Sequence, residues 1–179
     1  GWFFLDKSIP DEYRQELDDH LQTLALEKLL SVKEQPLLFM NVDLQILSDD
    51  HAESLIAKLE EFKGKGIKID QIVLEFKEED IIRDVSSVKH LITYIQSLGI
   101  KIAIDDVGKN ASNLEHIVQI KPDIVKVDLG FLEGDAFLQL YRDVLYSITM
   151  LTRKIGATLL FEGIKEFGQL NYAWRNGGR

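Results

Sequence analysis

Cysteine is absent from the 179 residues, which excludes a disulfide framework, thiol catalysis and a zinc–thiolate site. Basic charge is in deficit: 21 Lys and Arg stand against 30 Asp and Glu, for a net charge of −9. Nucleic-acid polymers and anionic membranes are gripped by basic surfaces, so neither is expected as a general partner. A small phosphorylated ligand stays open, because one lysine and a metal ion supply positive charge locally. No apolar run approaches the about 18–20 residues of a membrane span, and no signal-peptide pattern opens the chain. Direct membrane insertion is therefore not expected, and the expected compartment is cytoplasmic. Walker-type and dinucleotide fingerprints are missing, and Gly163 and Gly168 form no phosphate-cradling loop. No low-complexity segment or linker divides the chain. With 45% hydrophobic and 28% charged residues, residues 1–179 read as one domain able to bury a core. The chain starts at Gly1 without methionine and stops at Gly177-Gly178-Arg179 directly after a helical pattern. The expectation is a piece of a longer protein that carries other domains.

What is present is a repeated strand ending. Ile102-Ala103-Ile104 runs directly into Asp105, Asp106, Val107 and Gly108. Leu37 to Met40 ends in Asn41, Ile72 to Leu74 in Glu75, and Ile124-Val125 in Lys126, Val127 and Asp128. Leu159 to Phe161 ends in Glu162. Burying an ionised group is costly unless it is paired or holds a metal. Five apolar runs with such endings therefore describe one site rather than five accidents.

Helical spacing of apolar residues over about 11–30, 51–63, 86–98, 136–155 and 166–175, with a shorter helix near 113–120, alternates with strands over 37–42, 72–76, 101–105, 123–127 and 157–162. Ser8, Pro10 and Asp11 carry the first helix-start signal, Pro122 precedes a strand, and Gly156 occupies a C-terminal cap position. Strand–helix alternation with near-continuous apolar strands indicates an α/β fold, a parallel sheet wrapped by helices. In such folds the site lies at the carboxyl ends of the strands, where all five polar endings fall.

Asn41, Glu75, Asp105 and Asp106 offer only oxygen ligands, which suit hard divalent cations such as Mg²⁺ or Mn²⁺. Adjacent aspartates can bridge two such ions about 3.5–4 Å apart, the arrangement used in phosphodiester chemistry. Successive strand side chains face opposite ways, so Asp106 joins Asp105 only if the strand ends there. Lys126, between Val125 and Val127, requires an acidic partner or an anionic ligand. Glu162 can bind metal or act as a general base. The four histidines, His20, His51, His90 and His116, share no metal-site spacing and are read as surface residues. The segment 136–155 is more apolar than one buried stripe requires, so self-association through it follows core packing as a second reading. A receiver-like doubly wound domain also combines an Asp pair with a strand-end lysine, but the length, Glu75 and Glu162 argue against it.

In this order the motifs resemble the EAL domain family, the cyclic di-GMP phosphodiesterases of bacterial signalling. Phe39-Met40-Asn41-Val42 is similar to the family's second barrel strand, and Val73-Leu74-Glu75-Phe76 to the next. Ile102 to Gly108 resembles the Asp-Asp-Phe-Gly segment, and Pro122 to Asp128 the strand whose lysine helps hold the nucleophilic water. Phe161-Glu162-Gly163-Ile164 resembles Ala-Glu-Gly-Val. The resemblance implies a TIM-like (β/α) barrel that binds cyclic di-GMP and, in active members, hydrolyses it to pGpG with Mg²⁺ or Mn²⁺. It implies metal ligation by Asn41, Glu75, Asp105 and Asp106, and catalytic roles for Lys126 and Glu162.

Four departures qualify that picture. The first strand with its Glu-Ala-Leu motif and the closing strand with its Gln-Gly-Tyr-like segment are missing, which leaves the barrel incomplete. Lys109, Asn110 and Ala111 stand where active members usually have Thr-Gly-Tyr, in a loop that positions the second metal and supports dimer coupling. Lys165 reverses the charge of the usual second glutamate. The expectation is a domain that binds cyclic di-GMP through its metal site with weak or no hydrolysis. The alternatives are an active phosphodiesterase and a non-binding interaction module. A homodimer is a further expected partner.

Overall fold

The computed structural model describes residues 10–44, 49–83, 85–109, 114–130 and 135–178. Its elements are α1 (Asp11–Leu30), β1 (Leu38–Asn41), α2 (Asp49–Gly64), β2 (Ile72–Lys77), α3 (Glu78–Arg83), α4 (Val85–Ser97), β3 (Lys101–Asp105), α5 (Glu115–Ile120), β4 (Ile124–Asp128), α6 (Asp135–Ile155), β5 (Thr158–Glu162) and α7 (Phe167–Arg175). The expected alternation is therefore present. Element ends fall within two residues of the expected ones, and α1 and β3 coincide with them. Ser8, Asn110 and Ala111 lie outside the described residues.

One helix is additional. The segment Glu78–Arg83 leaves β2 without a loop and is too short to show an apolar period. Glu78, Glu79 and Asp80 fill its first turn, where negative charge complements the exposed N–H groups of a helix start.

All four strand pairs are parallel, in the order β1-β2-β3-β4-β5. Sequential order with helical crossovers is the arrangement of a TIM-like barrel. Among the described residues the sheet is an open arc of five strands, with β1 and β5 as its edges.

Alternation divides the sheet into two faces with different tasks. Met40, Leu74, Phe76, Ile102, Ile104, Val125, Val127, Leu159 and Phe161 face the helices and join Leu26, Leu59, Ile92, Ile117 and Ile148 in the main core. Each such side chain contributes about 1.5–3 kcal/mol when fully buried. The opposite face begins with a small apolar floor of Val73, Ala103 and Ile124, packed by Phe39 and Leu160. Two residues further along the same face come Asn41, Glu75, Asp105, Lys126 and Glu162. The register aligns Asn41 with Glu75, Lys77 with Asp105 and Asp128 with Glu162. Polar strand endings thus become one ledge above an apolar floor.

On α6, Leu145 and Ile148 are buried while Val144, Tyr146 and Met150 are exposed. No helix among the described residues is long and apolar enough to cross a membrane.

Candidate functional site

Lys126 is the centre of the ledge. It projects from β4 with only 9% of its surface exposed. Its Nζ lies 2.7 Å from Glu75 Oε1, 3.1 Å from Asp105 Oδ1 and 3.0 Å from Glu162 Oε2. Burial disfavours the ammonium, but the carboxylates of Glu75, Asp105 and Glu162 outweigh it and raise the lysine's proton affinity. Lys126 is therefore a fixed positive charge. Glu162 shows the opposite balance: burial raises its proton affinity, Asp105 and Asp128 add to this, and Lys126 opposes it.

The aspartate pair is made possible by a backbone reversal. β3 ends at Asp105, and Asp106 takes a left-handed conformation with φ of 61°. This turns the Asp106 side chain out of strand alternation. Its N–H donates to Asp105 Oδ1 at 3.0 Å, and the next amide, of Val107, donates to the Lys126 carbonyl at 3.1 Å. Carboxylate oxygens of Asp105, Asp106 and Glu162 come within 4.8 Å of one another. They form an all-oxygen donor set of the kind hard cations take.

A second cation stands further out. Lys109 Nζ lies 3.2 Å from Asp106 Oδ1 and 3.7 Å from Asp128 Oδ2. Asp128 Oδ1 also accepts the Gly130 N–H at 2.6 Å. That turn packs against Gly163, where an added Cβ would lie 2.0 Å from Asp128 Oδ1 and 2.7 Å from the Gly130 nitrogen. Close approach requires glycine directly after Glu162. Lys165 tethers this region: its Nζ donates to the Gly130 carbonyl at 3.0 Å, and its N–H to Gln169 Oε1 at 2.7 Å.

One expectation is corrected. His20, His51 and His90 are exposed, but His116 is 4% exposed. Its Nε2 lies 3.2 Å from Glu78 Oε1, and Glu78 Oε2 accepts the Gly108 N–H at 3.3 Å. The spacing of the histidines carries no trace of this, because the partner comes from α3. Lys109 joins the ledge without being a strand ending, whereas Asp128 belongs to one. The signal for Asp128 was its i,i+2 relation to Lys126, which puts both on one face of β4.

Asn41 is exposed and sits at the rim. It lines a cavity of about 570 Å³ together with Glu75, Asp80, Asp105, Asp106 and Glu162, a volume within the range of small-ligand sites. The structure thus gathers Glu75, Asp105, Lys126 and Glu162 by direct contact, Asp106 through the turn, and Asn41 across the cavity.

A model of the EAL domain matches residues 7–178. The uncharacterized EAL-domain containing protein YkuI of Bacillus subtilis is 45% identical over 179 residues, covering 100% of this chain and 44% of that protein. The crystal structure of Bacillus subtilis YkuI in complex with substrate c-di-GMP and calcium matches with a TM-score of 0.89 and 45% identity, again over 100% of this chain and 44% of that one. The calcium/cy-diGMP complex of Klebsiella pneumoniae BlrP1 matches in fold, with a TM-score of 0.80 at 22% identity over 96% of this chain and 43% of that one. The chain spans less than half the length of these relatives. Matched along almost its entire length, and carrying its polar strand ends on one face of a sequentially ordered parallel sheet, the chain belongs to the EAL domain family.

Proposed function

We propose that this chain binds cyclic di-GMP through a divalent-cation site at the carboxyl ends of its strands, and hydrolyses it to pGpG weakly or not at all. The observation that carries this reading is the convergence of Asp105, Asp106 and Glu162 oxygens within 4.8 Å, beside a cavity of about 570 Å³. These residues fit a hard cation: the donors are all oxygens, and their mutual repulsion is relieved by positive charge. Asn41, Glu75, Asp105 and Asp106 would hold Mg²⁺ or Mn²⁺, which when bound supplies Lewis acidity and charge neutralisation toward a phosphodiester. Lys126 stays protonated, so it orients water and phosphate oxygens as a donor. Glu162, with its raised proton affinity, is the group suited to accept a proton from water.

Lys109 supports the weak-hydrolysis part, since it brings a positive charge into the segment that positions the second metal in active members of the family. The Lys126–Glu162 pair at 3.0 Å favours the second reading, an active phosphodiesterase. Exposed Val144, Tyr146 and Met150 on α6 support a homodimer.

The test is calorimetric titration of cyclic di-GMP with Ca²⁺, followed by a Mg²⁺ assay for pGpG, on the full-length protein. Micromolar or tighter binding with turnover well below about 1 s⁻¹ is expected. Turnover at about 1 s⁻¹ or above would establish the active reading. Absence of binding heat would leave an interaction module.

A further inference from the structure

Two lysine ammonium groups divide the acidic ledge between them. Lys126 takes Glu75, Asp105 and Glu162, and Lys109 takes Asp106 and Asp128. The first is buried and rigidly placed on β4. The second sits on the turn after Asp106 with its side chain 43% exposed, at the end of a flexible four-carbon stem. It reaches the outer side of the aspartate pair, next to the place where a second divalent ion would have to share Asp106.

We propose that Lys109 is a tethered cation that fills the outer cation position of the ledge, so that the site takes one divalent ion rather than two. This rests on the metal-binding reading given above. The charge balance argues for it. Five carboxylates against two ammonium groups leave three negative charges. One divalent ion reduces this to one. A second would make the cluster net positive while standing beside an ammonium group, and like charges at such separations repel strongly in a partly desolvated site. With Lys109 neutral, four negative charges would remain, and two divalent ions balance them. Tethering adds to the effect, because an ammonium attached three residues from Asp106 acts at a high effective concentration. An isolated surface lysine pair would contribute little. Here one ammonium bridges a carboxylate of the turn after β3 and one at the end of β4, and Asp128 is itself held by Gly130.

The experiment counts bound manganese by the loss of the free-ion electron paramagnetic resonance signal, in full-length protein without nucleotide. Native protein, Lys109→Met and Lys109→Arg are compared after thermal unfolding confirms that each is folded. The expected result is one additional ion per chain in Lys109→Met, with the second ion bound about 100-fold or more weakly in native protein and in Lys109→Arg. An equal count in native protein and Lys109→Met, whether one or two, would overturn the inference and leave the metal-binding reading standing. A gain in Lys109→Arg equal to that in Lys109→Met would overturn the charge argument. No manganese in any of the three would fail the metal-binding reading itself, and the inference with it.

Discussion

His116 and Glu78 form a buried pair, with Nε2 3.2 Å from Oε1 and side chains 4% and 5% exposed. The other oxygen of that carboxylate faces the turn that follows the aspartate pair, where it accepts the Gly108 N–H. A single glutamate at the start of α3 thereby connects α5 to the segment that shapes the acidic ledge. Gly108 has a φ of 87°, so the turn it occupies is one that few other residues adopt.

Glu78→Ala removes the contact with the His116 ring and the acceptor of the Gly108 N–H at once, both at buried positions. The expected cost is about 2–3 kcal/mol. Glu78→Gln keeps an acceptor for Gly108 and should lose less than half of that. Urea unfolding midpoints of the two variants test this ordering, and equal midpoints would refute it.

The fold was legible because each strand is a short apolar run and each long helix shows its period, both local signals. The rule that parallel α/β sheets carry chemistry at strand ends was enough to group Glu75, Asp105, Lys126 and Glu162, which meet in the structure, with Asp106 in the adjoining turn and Asn41 across the cavity. What escaped was set by long-range contact. The burial of His116 depends on Glu78, which belongs to another helix, so nothing in the sequence around His116 marks it. The six-residue α3 carries less than two turns, too few for periodicity to register. Lys109 was visible as a departure from the family pattern, but its reach to Asp128 depends on the left-handed turn at Asp106, which no neighbouring residue announces.

Lys126→Met should leave three facing carboxylates, Glu75, Asp105 and Glu162, without the ammonium that they share. Breaking a buried ion pair from one side costs about 3–5 kcal/mol. On the proposed cation site, added Ca²⁺ should favour the folded form and restore part of this by mass action. The rise in melting temperature with Ca²⁺ is therefore expected to be larger in the variant than in native protein, with EDTA abolishing the difference. A calcium response that is unchanged by the substitution would contradict this account of Lys126.

Two glycines separate strain from clash. Gly163 has a φ of 65°, and a Cβ there would meet Asp128 Oδ1 at 2.0 Å. Gly156 has a φ of 79° but nothing within 4 Å of an added Cβ. Gly156→Ala should cost only the backbone term, about 1–2 kcal/mol. Gly163→Ala should cost more, because Asp128 or Gly130 must move as well, and it should also weaken cation binding by displacing Glu162. Similar losses of stability in both variants would show that the Asp128 turn yields freely.

Glu162 provides a pH test whose sign is fixed by its surroundings. Burial raises its proton affinity above the ordinary value of 4.5, with Asp105 and Asp128 contributing and Lys126 opposing. Folding therefore favours the protonated acid. Its contribution to stability is fully present below the ordinary value and is lost as pH rises through the folded-state value. Glutamine at this position cannot titrate. In EDTA, the stability of native protein minus that of Glu162→Gln should thus decrease steadily from about pH 4 upward. In a Lys126→Met background the same difference should decrease further, since the one group that lowers the proton affinity of Glu162 is gone. Urea unfolding across this pH range measures both differences. A difference that grows with pH would mean that Lys126 outweighs burial, and Glu162 would then be a permanently ionised partner of the lysine rather than a group suited to accept a proton.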